Sequence, residues 1–509
     1  MVSKTTRMDG TPELVPEVRP GARGCNTPLA SRIGHHGRYG ALPNTRTRPW
    51  TSDDRINPHQ PPGDYAGRAG LEARGLGPAA EQRRGSARRC ERVHAKTPYK
   101  WLRGDRPRSP WPVLVAAVLT DELGRPTTPA DLGWLDGGVE CVSAISGLVL
   151  PWTVAGSLHA VRVVTDAGSM ERRILLTLLG AAACAPAHEW LIARPNAGVA
   201  RRSGLPLPVG VVDDLDDIVG RLRRMDDQLG SGALLHLVRA HLRYVLGLLD
   251  QRHYTDTVGR RLHATAGELM RVAGWLSFDS GHHPQAQRYW VAALHAAHAA
   301  GDRALGANII GFMSAQAIDL GQIRESVTLA DTARAGYPGV TPRVAGICDL
   351  RAAEACAQDR SVTECRRALD SAFDRLGDVP SSSGEPGWCY WFDESAAHSV
   401  AGRCYLRLQD WDRARQHLRA ALRMQDPSYR RQGAQRHIGL ARTYLCQDRP
   451  EVDHAVTLAT RAVGTLTDGV DSARVVGHLT QLVDHFAPYR RRPAVRQFTD
   501  QVAELLTGT

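Results

Sequence analysis

Apolar residues recur at helical spacing along most of the second half of the chain. From about residue 205 to the end, Ala- and Leu-rich segments with a period of about 3.6 alternate with breaks at Gly, Asp and Pro. The same spacing appears earlier, between Ser109 and Leu123, after a short segment in which Thr97 and Pro98 are typical of a helix N-terminus. The pattern predicts an all-α protein.

Residues 1–88 show neither a helical nor a strand period. They are dense in Gly, Pro and Arg, a composition that cannot bury a hydrophobic core, and we expect a disordered basic segment there. The change of composition after this segment is abrupt. A shifted reading frame upstream would produce the same change, so both interpretations stay open.

The helical part contains an internal repeat. Small residues recur 39 to 49 residues apart, at positions 286, 326, 365, 414 and 455. In a tetratricopeptide-like hairpin a small residue stands where two antiparallel helices cross, and an apolar residue and an alanine follow at helical spacing. The sequence therefore predicts that residues 205–509 stack as a tetratricopeptide-like α-solenoid. The residues expected to pack the two clearest copies are Gly274, Gly281, Ala286, Trp290, Gly402, Tyr405, Ala414 and Ala421.

Charge is concentrated at the start of the chain. The net charge is +11, and residues 1–110 contain 21 Lys and Arg against 10 Asp and Glu, so the remainder is neutral. A basic segment of this kind favours an anionic partner such as DNA. The predicted short helix and the loop after it offer donors for phosphates and base edges. The candidate DNA-binding residues are Thr97, Lys100, Arg103, Arg106 and Arg108.

The sequence Thr-Pro-Tyr-Lys-Trp-Leu-Arg-Gly, from Thr97 to Gly104, resembles the end of the helix-turn-helix of Cro-like regulators. Residues 109–134 are similar to the segment that follows it in actinobacterial regulators with a tetratricopeptide-like region. The resemblance implies a transcriptional regulator that binds DNA through the helix-turn-helix and a ligand, protein or peptide in the solenoid groove. The glycine-rich run 67–77 stands where the first two helices of that family belong, and it is a poor helix former.

We therefore expect a partial helix-turn-helix and weak DNA binding. The predicted domains are the basic segment, a partial helix-turn-helix at 89–134, a linker with an apolar helix at 135–204, and the repeats at 205–509. The alternative function is an interaction scaffold that has lost DNA binding. A homo-oligomer is compatible with either function.

Candidate chemistry is sparse. The chain contains no G-x-S-x-G motif, P-loop or dinucleotide fingerprint, and its ten cysteines include no C-x-x-C pair. His282 and His283, and His295 with His298, lack an accompanying Glu-x-x-His motif, so we interpret them as packed or solvated histidines. The sequence therefore predicts no enzyme, no cofactor and no metal site.

The segment from Met170 to Cys184 resembles a twin-arginine export signal that ends in a lipobox-like cysteine. Its apolar run, Ile174 to Ala187, is too short to span a membrane and lies far inside the chain. We expect an internal helix that packs on the first repeat, in a cytoplasmic protein without a membrane partner; an exported protein is the remote alternative.

Overall fold

The computed structural model describes residues 97–102, 115, 118–119, 132, 140–166, 173–231, 234–338, 341–377 and 384–507. All of them belong to one compact unit. The predicted disordered segment 1–88 and the glycine-rich run 67–77 lie outside the described residues. So do Arg103, Arg106 and Arg108.

The first described element is a short helix, α1 (Thr97–Leu102), in which Trp101 is buried and Lys100 is exposed. Further along, Val115, Val118 and Leu119 are helical and buried. Their spacing is that of one face of a helix.

Residues 135–204 form more than the predicted apolar helix. Strand β1 (Glu140–Ser143) pairs in parallel with β2 (Arg173–Leu176), and helix α2 (Val154–Thr165) connects them. The apolar run from Ile174 is thus not one helix: it begins as β2, turns at Gly180 with φ of 61°, and continues as α3 (Ala181–Ile192). A positive φ at Gly180 ends the extended segment and starts the helix, which separates the two halves of the run.

Helix α3 packs on the repeats through one large side chain. Trp190 is fully buried, and the Arg303 guanidinium lies 3.6 Å from its ring centroid. A β-carbon at Gly306 or Gly336 would approach this indole to 2.2 Å and 2.3 Å, so glycine at both positions makes room for it. Among the described helices, none is long and apolar enough to cross a membrane.

The rest of the described chain is a series of helices with two short parallel strands, β3 (Leu205–Pro206) and β4 (Arg252–His253). In chain order the helices are α4 (Val209–Leu229), α5 (Leu235–Gln251), α6 (Asp256–Asp279), α7 (His283–Ala300), α8 (Arg303–Asp319), α9 (Ile323–Gly336), α10 (Pro342–Gln358), α11 (Val362–Gly377), α12 (Glu394–Leu408), α13 (Trp411–Arg423), α14 (Arg430–Cys446), α15 (Val452–Thr467), α16 (Ala473–Phe486) and α17 (Pro493–Thr507). Single 3₁₀ turns occupy Gly387–Trp391 and Ala487–Tyr489.

Polar caps begin several of these helices. Asp302, Asp393 and Asp410 each accept a hydrogen bond from the backbone N–H three residues later, at 2.8, 2.7 and 3.2 Å. Such caps satisfy backbone donors that the first helical turn leaves free. They explain why the Asp-containing breaks in the sequence become helix starts.

From α6 onward the helices pair as antiparallel hairpins, each joined by a short turn. The predicted small residues at 286, 326, 365, 414 and 455 are each the fourth residue of the second helix of a hairpin. All five are fully buried. The described chain is therefore a mainly helical array of repeated hairpins, and the predicted register places the crossing residues at equivalent positions.

Two glycines on the first helices accept large residues from the second. A β-carbon on Gly274 would lie 2.3 Å from Nε1 of Trp290, and one on Gly402 would lie 2.6 Å from Cγ of Leu418. Gly281 has a different role, because it has φ of 79° in the turn after α6. Tyr405 stacks on the ring of His417 in the second helix of its hairpin. Ala286, Ala414 and Ala421 are the small residues between paired helices, and all three are buried.

The array closes on itself. First helices of successive hairpins pack side by side from α6 to α16, and α16 then contacts α6, while α14 contacts α4. The backbone also joins at this point, because Asp471 N–H donates to Leu229 O at 3.2 Å and Ser231 N–H donates to Asp471 O at 3.0 Å. The first helices of the hairpins therefore surround a common interior.

Candidate functional site

A cavity of about 1060 Å³ lies between the first helices of the hairpins. Its lining comes mainly from α4, α6, α8, α10, α12, α14 and α16, with the 3₁₀ turn Gly387–Trp391, so it depends on closure of the array. The size is at the upper end of the roughly 300–1,000 Å³ typical of small-molecule sites. The lining mixes arginines with a few carboxylates and large aromatic rings.

A buried ionic group holds the closure together. We call it the closure cluster, and it consists of Asp226 (α4), Asp279 (α6), Arg431 (α14) and Arg474 (α16). Arg431 is 1% exposed and binds Asp226 through two hydrogen bonds of 2.7 and 2.9 Å. Asp279 lies 3.3 Å from Arg431 and 3.1 Å from Arg474. Two guanidinium groups thus neutralise two carboxylates at the seam, where α14 and α16 meet α4 and α6.

The electrostatics of the closure cluster follow from this pairing. Burial alone would raise the pKa of Asp279, but Arg431 and Arg474 hold it below its ordinary value. The same two arginines lie over the ring of Trp275, at 5.2 and 4.9 Å from its centroid. The indole Nε1–H donates to Asp226 at 2.8 Å, so Trp275 satisfies the carboxylate and shields it from water.

Unlike Asp226 and Asp279, Asp227 has no cation as a direct partner in the described part of the chain. It accepts hydrogen bonds from the Tyr390 hydroxyl and from Nε2 of Gln432, the latter at 3.3 Å. Burial, and secondly the charge of Asp226, raise the pKa of Asp227 to about 6. It therefore takes up a proton far more readily than a solvated aspartate.

A second charged group surrounds Glu354 on α10. Arg351 contacts it at 2.8 Å, Arg403 of α12 at 2.7 Å, and Arg407 of α12 at 3.9 Å. Burial would raise the pKa of Glu354, but these arginines, Arg403 foremost, lower it to about 2. Three guanidinium groups share one carboxylate, which leaves an excess of positive charge at this side of the cavity.

Several donors that line the cavity lack hydrogen-bond partners in the described part of the chain. They are Nη1 of Arg407, Nε2 of Gln435 and Nε of Arg442, all of which are buried. Arg436 beside them donates only to neutral oxygens, including Oε1 of Gln425 at 2.8 Å. Burial, together with the charge of Arg403, lowers the pKa of Arg436 to about 10. One lining acceptor, Oε1 of Gln432, also lacks a partner, so the unpartnered polar atoms of the cavity are mostly donors.

Sequence reasoning did not find these cavity residues. The available signal was a polar stripe on the inner helices, for example Gln435 and Arg442, which are two helical turns apart on α14 and opposite its packing face. Such a stripe is typical of a solvated surface, and only the closure of the array turns it inward.

The predicted DNA-binding residues are only partly described. Lys100 is exposed on α1, and Thr97 is the first residue of that helix. Of the two predicted histidine pairs, the first reaches the cavity: His283 belongs to its lining and lies 5.6 Å from the ring centroid of Phe278. The second pair packs against an aromatic ring. His295 stacks on Trp152 with 4.1 Å between centroids, and His298 meets the same ring edge-on at 5.6 Å. Burial lowers the pKa of His295 to about 4.

Cys184, the lipobox-like residue, is buried in α3, and its thiol contacts the carbonyl oxygen of Glu325. Burial raises the pKa of this thiol to about 11, which keeps it protonated. Within the described ranges, no group of three or more His, Cys, Asp and Glu residues is arranged to hold a metal ion.

Comparison with known proteins gives one partial match. A family model described as the SP15 N-terminal domain matches residues 68–135, the region that contains α1. No curated protein and no solved structure is significantly similar to the chain.

Proposed function

We propose that the protein is a cytoplasmic transcriptional regulator whose closed helical array binds an effector in the central cavity. The observation that carries this proposal is the cavity itself, a space of about 1060 Å³ bordered mainly by seven helices, whose lining includes buried donors without a hydrogen-bond partner in the described part of the chain. Buried donors without partners are costly, and a bound ligand would satisfy them. The proposal assigns binding rather than catalysis to this site.

The DNA-binding half of the proposal rests on the basic N-terminal region. Lys100 is exposed on α1 and the adjacent Trp101 is buried, so one face of the helix packs against the protein and the other is accessible to a DNA duplex. The excess of basic residues before residue 111 supplies attraction for phosphates. The resemblance of Thr97–Gly104 to the end of a Cro-like helix-turn-helix supports the same assignment.

A salt titration tests the DNA-binding half. Lys100, Arg103, Arg106 and Arg108 can together neutralise about four phosphates, so the logarithm of the affinity should fall with log salt at a slope of roughly −3.6. Lys100→Ala should reduce this slope by about 0.9. The matched control is Arg490→Ala, which removes an exposed charge far along the chain.

The full-length chain is also used to select duplexes from a random library. Enrichment of a common sequence that Lys100→Ala abolishes supports a regulator. A failure to enrich any sequence, with unchanged salt slopes, contradicts the DNA-binding half and leaves a scaffold or effector-binding protein.

A further inference from the structure

One side of the central cavity carries donors from three adjacent inner helices. We call it the arginine wall and define it by Arg407 (α12), Gln435 and Arg442 (α14), and His478 (α16), all of which line the cavity. Gln435 and Arg442 are two helical turns apart and so share one face of α14. Burial is the largest cause of the lowered pKa of His478, and the charge of Arg474 is the next; Arg407 and Arg403 lower it further.

The charges at the arginine wall do not cancel. The arginines on or beside it are Arg351, Arg403, Arg407, Arg436 and Arg442. The carboxylates that act on them are Glu354, which contacts three of the five, Asp319, whose charge acts on Arg403 and His478, and Asp393, whose charge acts on Arg436. Arg442 has no carboxylate within ion-pair distance in the described part of the chain. Five positive groups therefore face three negative ones, an excess of two charges.

The closure cluster is different, because Arg431 and Arg474 are matched there by Asp226 and Asp279. That cluster is complete without a ligand. Three unfilled donors, on Arg407, Gln435 and Arg442, occur at the arginine wall together with uncompensated charge, and an anion placed there would satisfy both at once.

Aromatic rings border the same cavity. The Arg351 guanidinium lies 5.3 Å from the centroid of Phe312 and 5.9 Å from that of Trp391. These rings offer apolar surface within reach of the charged wall, so the site can accept an organic molecule as well as an inorganic anion.

We propose that the arginine wall binds a small polyanion that carries at least two carboxylate or phosphate groups, and that this polyanion is the effector. The proposal rests on the effector-binding half of the function proposed above. Arg407 and Arg442 donate to the anionic oxygens, because a planar guanidinium matches carboxylate and phosphate geometry. Nε2 of Gln435 and the ring of neutral His478 supply further polar contacts.

Calorimetric titration of the full chain tests the inference with three probes: inorganic pyrophosphate, citrate and a hexaglutamate peptide. Sodium chloride at matched ionic strength corrects for screening. We expect at least one probe to bind, and the preferred one distinguishes phosphates, small carboxylates and acidic peptides as the source of the anion. Arg407→Gln with Arg442→Gln should weaken that binding by about tenfold for each arginine.

The matched control is Arg490→Gln with Arg491→Gln, which removes the same charge from exposed positions. It reproduces any loss of attraction to the basic surface but leaves the cavity intact, so its affinity for the probe should be unchanged. The cavity variant should also fold, because Glu354 keeps Arg351 and Arg403 and no carboxylate is stranded. Circular dichroism checks this, and Arg442→Gln alone serves as the milder variant.

The outcomes separate the two proposals. Probe binding that depends on Arg407 and Arg442 supports the inference, even where the full chain selects no DNA sequence. Absence of probe binding, or binding that both double variants weaken equally, overturns the inference whatever the result with DNA.

Discussion

Arg431 shows how single buried residues hold this array together. It lies on α14, yet its carboxylate partners are on α4 and α6. Burying a guanidinium group is favourable only where charge and hydrogen bonds are fully matched, and here Asp226 and Asp279 provide both. Removing one member of the closure cluster leaves the remaining charges buried without a partner. A substitution of Arg431 should therefore reduce stability far more than a substitution at a neighbouring position.

We predict that Arg431→Met lowers the free energy of unfolding by about 3–5 kcal/mol, because it strands buried carboxylates. Arg430→Met is the matched control: the side chain of Arg430 is 39% exposed, its ion pair with the exposed Asp468 is 3.7 Å long, and its loss should cost about 1 kcal/mol or less. Denaturant unfolding measures both. Adding Asp226→Asn to Arg431→Met should recover part of the loss. Equal stabilities for the two methionine variants would show that the closure cluster contributes nothing.

At the scale of elements, short-range patterns predicted the hairpins well. A small residue at the fourth position of each second helix is a local signal, because helix crossing requires it wherever the hairpin lies in the chain. The prediction of a single helix for the apolar run from Ile174 was wrong because the determining contact there is not local. Ile-Leu-Leu suits a strand or a helix, and the choice depends on β1, which lies more than thirty residues earlier.

We predict that Gly274→Ala destabilises the α6–α7 hairpin by about 1–3 kcal/mol, because the new β-carbon would lie 2.3 Å from Nε1 of Trp290. Gly464→Ala in α15 is the control. Nothing lies within 4 Å of its β-carbon, so the better helix propensity of alanine should leave stability unchanged or raise it by up to about 1 kcal/mol. Thermal melts of the two variants are compared with the parent. A Gly274→Ala variant as stable as Gly464→Ala would refute the assigned packing.

At the scale of the whole molecule, closure determines where the candidate site is. Arg431 and Asp226 are 205 residues apart in sequence, and no local sequence pattern around either residue predicts that the two are in contact. Periodicity could therefore predict a stack of hairpins but not that its first and last parts meet. The cavity residues were missed for this reason: without closure, Arg407 and Arg442 belong to a solvated face, and with closure they line an interior.

A disulfide across the seam tests closure most directly. A β-carbon on Gly281, in the turn after α6, would lie 3.9 Å from that of Ala473, the first residue of α16, within the roughly 3.5–4.5 Å that disulfides require. The positive φ of Gly281 strains a cysteine there by about 1–2 kcal/mol, and Gly281→Cys alone controls for this. Under mild oxidation, Gly281→Cys with Ala473→Cys should form an intramolecular bond that peptide mapping locates between these two positions. Two free thiols at these positions in a folded protein, or a bond formed only between molecules, would contradict a closed array around a binding cavity.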